Sequence, residues 1–119
     1  MDDIIANQRR IDGKFGWDWR NLSPQEQLEK LQYCVMALTG ELGEIANPLK
    51  KVVRDAERFG VKDEAVAKLR AELREEIVDV FIYTLKMADI LGVELKEAYF
   101  EKAKKNEEKH ARFQLDAQK

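Results

Sequence analysis

Four acidic side chains stand in two pairs of equal spacing: Glu41 with Glu44, and Glu76 with Asp79. Residues three apart on a helix share one side, so each pair can aim two carboxylates at one point. If two such helices face each other, the four groups form a hard, all-oxygen cation site. The motif contains no histidine and the whole chain has 1, which disfavours zinc or a di-iron centre. Magnesium suits carboxylate, water and phosphate oxygens together, and manganese can substitute.

Two features of the surrounding sequence support a shared cavity. Gly40 and Gly43 sit among the first pair, and each glycine inside a helix costs about 1 kcal/mol relative to alanine. Close approach of another helix or a ligand would explain them. Asp79 lies inside the apolar run Ile77-Val78-Asp79-Val80-Phe81-Ile82, where an unpartnered carboxylate would cost several kcal/mol. A cation shared with Glu76 and the first pair would satisfy it. Glu72 and Glu75 offer a competing register. Glu76, however, lies about 60° from the stripe of Leu69, Leu73, Val80 and Leu91, whereas Glu75 lies about 160° from it.

A later segment carries complementary charge. Leu95, Tyr99, Lys102, Asn106 and Phe113 fall within about 40° of one another on a helical wheel, which puts Lys102 and Asn106 on an inward face. A lysine there can meet triphosphate oxygens, and an amide can hydrogen-bond phosphate or sugar. Each residue also has a plainer reading. Glu41 and Glu44 taken singly would be a solvated face, Lys102 a snorkelling surface lysine, and Asn106 a core-edge amide. Cys34, the single cysteine, reads as a small buried apolar side chain.

The elements that must position these groups are helical. No strand pattern, repeat or low-complexity linker is visible. A short helix over 2–10 precedes a glycine-punctuated loop, Asp12-Gly13-Lys14-Phe15-Gly16-Trp17-Asp18-Trp19. Ser23-Pro24-Gln25-Glu26 is a capping box with proline at the first helical position. The helix that follows bears an apolar stripe of Leu28, Leu31, Val35, Leu38, Leu42, Ile45 and Leu49. Pro48 cannot donate to the carbonyl of Glu44, which predicts a kink or break directly after Glu44 and a non-helical Asn47. Residues 55–62 read as a connection. A third helix spans about Asp63 to Leu91, stopped by Gly92, and its second half is apolar nearly all round. A fourth runs from about Glu94 to Arg112 with a poor cap, and the tail Gln114–Lys119 is expected to fray.

Length and composition bound the classes. A chain of 119 residues is one domain, 1–119, and can bury a core of its own. With 37% charged and 45% hydrophobic residues it reads as a soluble helical protein. A net charge of -2 with interspersed signs argues against binding a nucleic-acid polymer. No membrane span or signal peptide is visible, so a cytoplasmic location is expected. A third helix needing more cover than one small chain supplies predicts a homo-oligomer.

Together these motifs resemble the MazG-like, all-alpha nucleoside triphosphate pyrophosphatase superfamily, which includes dimeric dUTPases, dCTP pyrophosphatases and phosphoribosyl-ATP pyrophosphohydrolases. Its Glu-x-x-Glu, spacer, Glu-x-x-Asp signature is matched by Glu41-Leu42-Gly43-Glu44 and Glu76-Ile77-Val78-Asp79, and its late Lys-x-x-x-Asn element by Lys102 to Asn106. Leu91-Gly92-Val93-Glu94-Leu95 is also similar, with Glu94 in place of the family's usual Asp. The likeness runs from about Pro24 to Lys109. It implies an all-α bundle of four to five helices completed by a homodimer or homotetramer. It also implies cleavage of a nucleoside triphosphate between the α and β phosphates, giving monophosphate and pyrophosphate. Mg²⁺ would be held by the catalytic acids Glu41, Glu44, Glu76 and Asp79, with Lys102 and Asn106 on the nucleotide. Trp17 and Trp19 would stack on the base or pack at an interface, and Tyr83 would line the same pocket or the core. The alternatives are a non-catalytic helical module that binds a nucleotide or protein, and a ferritin-like oxidase, whose Glu-x-x-His elements are missing.

Overall fold

The structure, a computed structural model, describes residues 1–118. It contains the helices α1 (Asp2–Phe15), α2 (Pro24–Phe59), α3 (Asp63–Leu91) and α4 (Leu95–Ala117), and no strand among the described residues. α2 and α3 form an antiparallel pair, the one extended helix–helix contact among the described residues. No helix there is long and apolar enough to cross a membrane.

The helix starts and stops follow local chemistry. Ser23 Oγ accepts from the Glu26 backbone N–H at 3.2 Å, and Glu26 Oε1 accepts from the Ser23 N–H at 3.2 Å, so the capping box forms in full. Gly16 (φ 76°) and Gly92 (φ 66°) end α1 and α3 in the left-handed conformation that only glycine adopts without cost. The Val93 N–H closes the α3 stop on the Ala88 carbonyl at 2.8 Å. Glu94 caps α4 without a side-chain bond.

Four expected boundaries are corrected. α1 continues to Phe15, so the loop shortens to residues 16–23. α2 runs unbroken through Asn47 and Pro48 to Phe59, which leaves only 60–62 as the connection. The proline forfeits one hydrogen bond to Glu44, yet Asn47, Pro48 and Val52 lie along a groove against Leu69 of α3. The extended pairing of α2 with α3 outweighs that single loss. α4 extends past Arg112 to Ala117, so residues 114–117 are helical; Lys119 lies outside the described residues.

The core is small. Cys34, Leu85, Ala88 and Ile90 are its buried apolar members, with Cys34 fully enclosed as its composition suggests. Asp79 to Ile90 is half-buried or buried throughout, whereas Ile77 and Val78 are exposed. Of the expected α2 stripe, Leu31, Leu38 and Ile45 are half-buried toward α3. Leu28, Val35, Leu42 and Leu49, spaced by seven, are exposed. α4 buries no residue. The radius of gyration is 18.9 Å, against about 13.5 Å for a compact domain of this length.

Two ion pairs fasten α1 to α3. Arg9 grips Asp89 with both ends of its guanidinium, at 2.8 and 3.3 Å. Lys86 Nζ donates to Asp12 Oδ1 at 2.9 Å, and Gln8 Nε2 donates to the same oxygen at 2.9 Å.

Candidate functional site

Because α2 and α3 are antiparallel neighbours, the acids of one meet those of the other. Glu41, Glu44 and Glu76 each offer an oxygen within 4.8 Å of the others. Glu41 and Glu76 are half-buried, and Glu44 stands at the open side. The Oε2 atoms of Glu41 and Glu76 are enclosed and have no hydrogen-bond partner. A buried acceptor without a donor is costly, and enclosed carboxylates side by side add repulsion. The adjoining Glu76 carboxylate, by its close approach and then by its charge, pushes the Glu44 carboxyl up from its ordinary value. For Glu76, also raised, the leading cause is the close approach of the Glu41 carboxylate. The charge of Asp79 raises both further.

The donor set is all carboxylate, and two of its oxygens lack any protein donor. Both properties fit a hard divalent cation such as Mg²⁺. Asp79 sits half-buried beside this trio, close enough to act on it by charge, but outside the group whose oxygens converge. Gly40 and Gly43 have open space where a Cβ would stand, so this chain does not supply the close neighbour expected there.

The aromatic residues gather farther along the same pair of helices. Trp17, Trp19, Tyr33 and Tyr83 line a cleft of about 370 Å³ with Gly16, Lys30 and Lys86. Tyr83 lies one turn past Asp79, and burial followed by the influence of Tyr33 raises its phenol, with Glu41 adding to the effect. Acid trio and cleft are therefore electrostatic neighbours. The Lys86 ammonium lies 4.6 Å from the centre of the Trp19 ring and 5.6 Å from that of Trp17. Trp19 meets Tyr33 edge-on at 5.9 Å, and Trp17 stacks on Phe15 at 5.1 Å. Arg20 grips Asp18 at 2.7 and 2.9 Å, bracing the loop between the tryptophans and holding the Asp18 carboxyl down at about 2.

Thus Trp17, Trp19 and Tyr83 come together, as do Glu41, Glu44 and Glu76. Lys102 and Asn106 do not join them: both are exposed on α4, so the inward face expected for them has nothing to face in a single chain. Sequence reasoning missed Lys30, Tyr33, Lys86 and Asp12. Lys30 and Tyr33 shared a helix face three residues apart, but only the folding-back of the 16–23 loop makes that face a wall. Asp12 carried no local signal: it stood in what read as a loop, and only the continuation of α1 brings it to Lys86.

No protein-family model matches the chain. No solved structure matches it either. Among curated proteins, gene 37 protein of Mycobacterium phage L5 is 37% identical over 68 residues, covering 57% of this chain and 55% of that protein. The chain is similar to a phage protein. The match spans about half of that relative's length, and its name states no activity.

Proposed function

We propose that this chain is a magnesium-dependent nucleoside triphosphate pyrophosphohydrolase, cleaving between the α and β phosphates to release monophosphate and pyrophosphate. One observation carries the reading: three carboxylates from two helices converge within 4.8 Å, and two of their enclosed oxygens lack any donor. The aromatic cleft beside the trio adds support, since a planar base and a triphosphate need adjoining apolar and cation-bearing compartments.

Glu41, Glu44 and Glu76 would hold the cation, with Asp79 reinforcing the negative field. A bound Mg²⁺ supplies positive charge to phosphate oxygens and to the departing pyrophosphate. The chain's own part is positioning. Trp17, Trp19, Tyr33 and Tyr83 line the cleft in which a base would sit, and a nucleotide held there would extend its phosphates along α2 and α3 toward the acids.

The active form is a homo-oligomer on this reading. The chain exposes 9759 Å², about 3,000 Å² more than a compact domain of its mass. The exposed row Leu28, Val35, Leu42 and Leu49 has the heptad spacing of a helix-packing seam. Lys102 and Asn106 would then serve a site from a neighbouring copy's α4.

Incubation with a panel of ribo- and deoxyribonucleoside triphosphates plus Mg²⁺, with products resolved, tests the activity. Monophosphate and pyrophosphate in equal amounts are expected; orthophosphate without pyrophosphate rejects it. The same exposed apolar surface favours a second reading, a non-catalytic helical binding module. Unchanged behaviour of every acid-to-amide variant would select that reading.

A further inference from the structure

Four aromatic side chains line the cleft and suit a planar ring, but do not say which ring. Stacking tolerates any base, so discrimination has to come from polar groups at the walls. Those groups are unbalanced. Lys30 and Lys86 bring ammonium donors and the indoles bring N–H donors, while no carboxylate or side-chain amide lines the cleft. Lys86 is already committed, to Asp12 at 2.9 Å and to the faces of Trp17 and Trp19. Lys30 is not. It is half-buried, lies 5.0 Å from the centre of the Trp19 ring, and has no salt bridge or hydrogen bond among the described residues. Its protons are held against a ring face at the edge of the cleft without an acceptor.

We propose that Lys30 makes this cleft selective for bases carrying a carbonyl where their counterparts carry an exocyclic amine: uracil over cytosine, and hypoxanthine over adenine. A carbonyl oxygen accepts from the ammonium. An amine at the same ring position sets donor against donor, and with no carboxylate or side-chain amide in the lining it has only the two phenol oxygens to turn to. The phenol oxygens of Tyr33 and Tyr83 can accept the ring N–H that these carbonyl-bearing bases share. The inference rests on the nucleotide reading of the site and adds which bases it takes.

The test uses the full chain without metal and matched monophosphates: uridine against cytidine, inosine against adenosine. Quenching of Trp17 and Trp19, the 2 tryptophans of the chain, reports binding. The carbonyl member of each pair should bind roughly tenfold tighter, the scale of one charge-assisted hydrogen bond set against an unpaired donor. Lys30→Met should bring both ratios close to one while quenching persists, and Lys30→Arg should keep the preference. Equal affinities in the wild type, tighter binding of the amines, no quenching by any nucleotide, or ratios unmoved by Lys30→Met would overturn the proposal. The same bases as triphosphates with Mg²⁺ separate it from the enzymatic reading. Hydrolysis of all four at equal kcat/KM removes the base selectivity and keeps the enzyme; preserved selectivity without hydrolysis does the reverse.

Discussion

Replacing Asp12 with alanine removes the anion from the most enclosed ion pair among the described residues, and the size of the loss follows from what remains. The Lys86 and Asp12 side chains are 10% and 5% exposed. Without its partner, the Lys86 ammonium keeps the faces of Trp19 and Trp17 but no anion. Breaking a buried pair by removing one member costs about 3–5 kcal/mol, and Gln8 loses its acceptor as well. The two ring faces return part of this, which places the net cost at about 3 kcal/mol. At roughly 4 °C per kcal/mol for a domain of this size, the midpoint should fall by about 12 °C. Replacing both members with apolar groups, Asp12→Leu with Lys86→Met, should come back to within about 1 kcal/mol of wild type, because no orphaned charge remains. Denaturant titration at neutral pH, followed by tryptophan fluorescence and helical circular dichroism, measures all variants on one scale. A cost under about 1 kcal/mol for Asp12→Ala, or a double variant less stable than either single one, would contradict a buried, mutually dependent pair.

Mg²⁺ should raise the thermal midpoint of the wild type, by about 2.7 kcal/mol of stability at a hundredfold excess over Kd, whereas Glu76→Gln should show no such rise and should exceed the wild type without metal. The raised carboxyls of Glu44 and Glu76 bind protons more readily folded than unfolded, so their contribution favours folding at low pH. Metal-free stability should therefore fall as pH climbs from the ordinary glutamate value of 4.5 through their higher folded values. A paired Glu44→Gln, Glu76→Gln variant that keeps the full slope in urea titrations would contradict this. Gly43→Ala should stabilise the chain by about 0.5–1 kcal/mol in denaturant, since a helical position with open space loses only backbone entropy. Val35→Glu, placed mid-row on the exposed seam of α2, should shift sedimentation toward the monomer without lowering helix content.

Much of the fold was legible because its signals are local. The Ser23–Glu26 box, Pro24 and Gly92 act through backbone geometry within a few residues, and each start or stop they mark is present. The misjudged boundaries share a cause. Pro48 weakens α2 locally, but the extended pairing of α2 with α3 outweighs one missing hydrogen bond. Spacing alone paired Glu41 with Glu44 and marked Glu76, because helical periodicity decides which side chains share a face. Periodicity says nothing about which faces meet. That Glu41 and Glu76 turn their oxygens into one enclosure, that Lys86 is buried on Asp12 beneath two indoles, and that Lys102 and Asn106 stand exposed on α4 are matters of long-range packing. Such contacts depend on how loops close and helices align. The amino-acid order determined the helices and the residues able to do chemistry; only the tertiary arrangement decided which of them share a space.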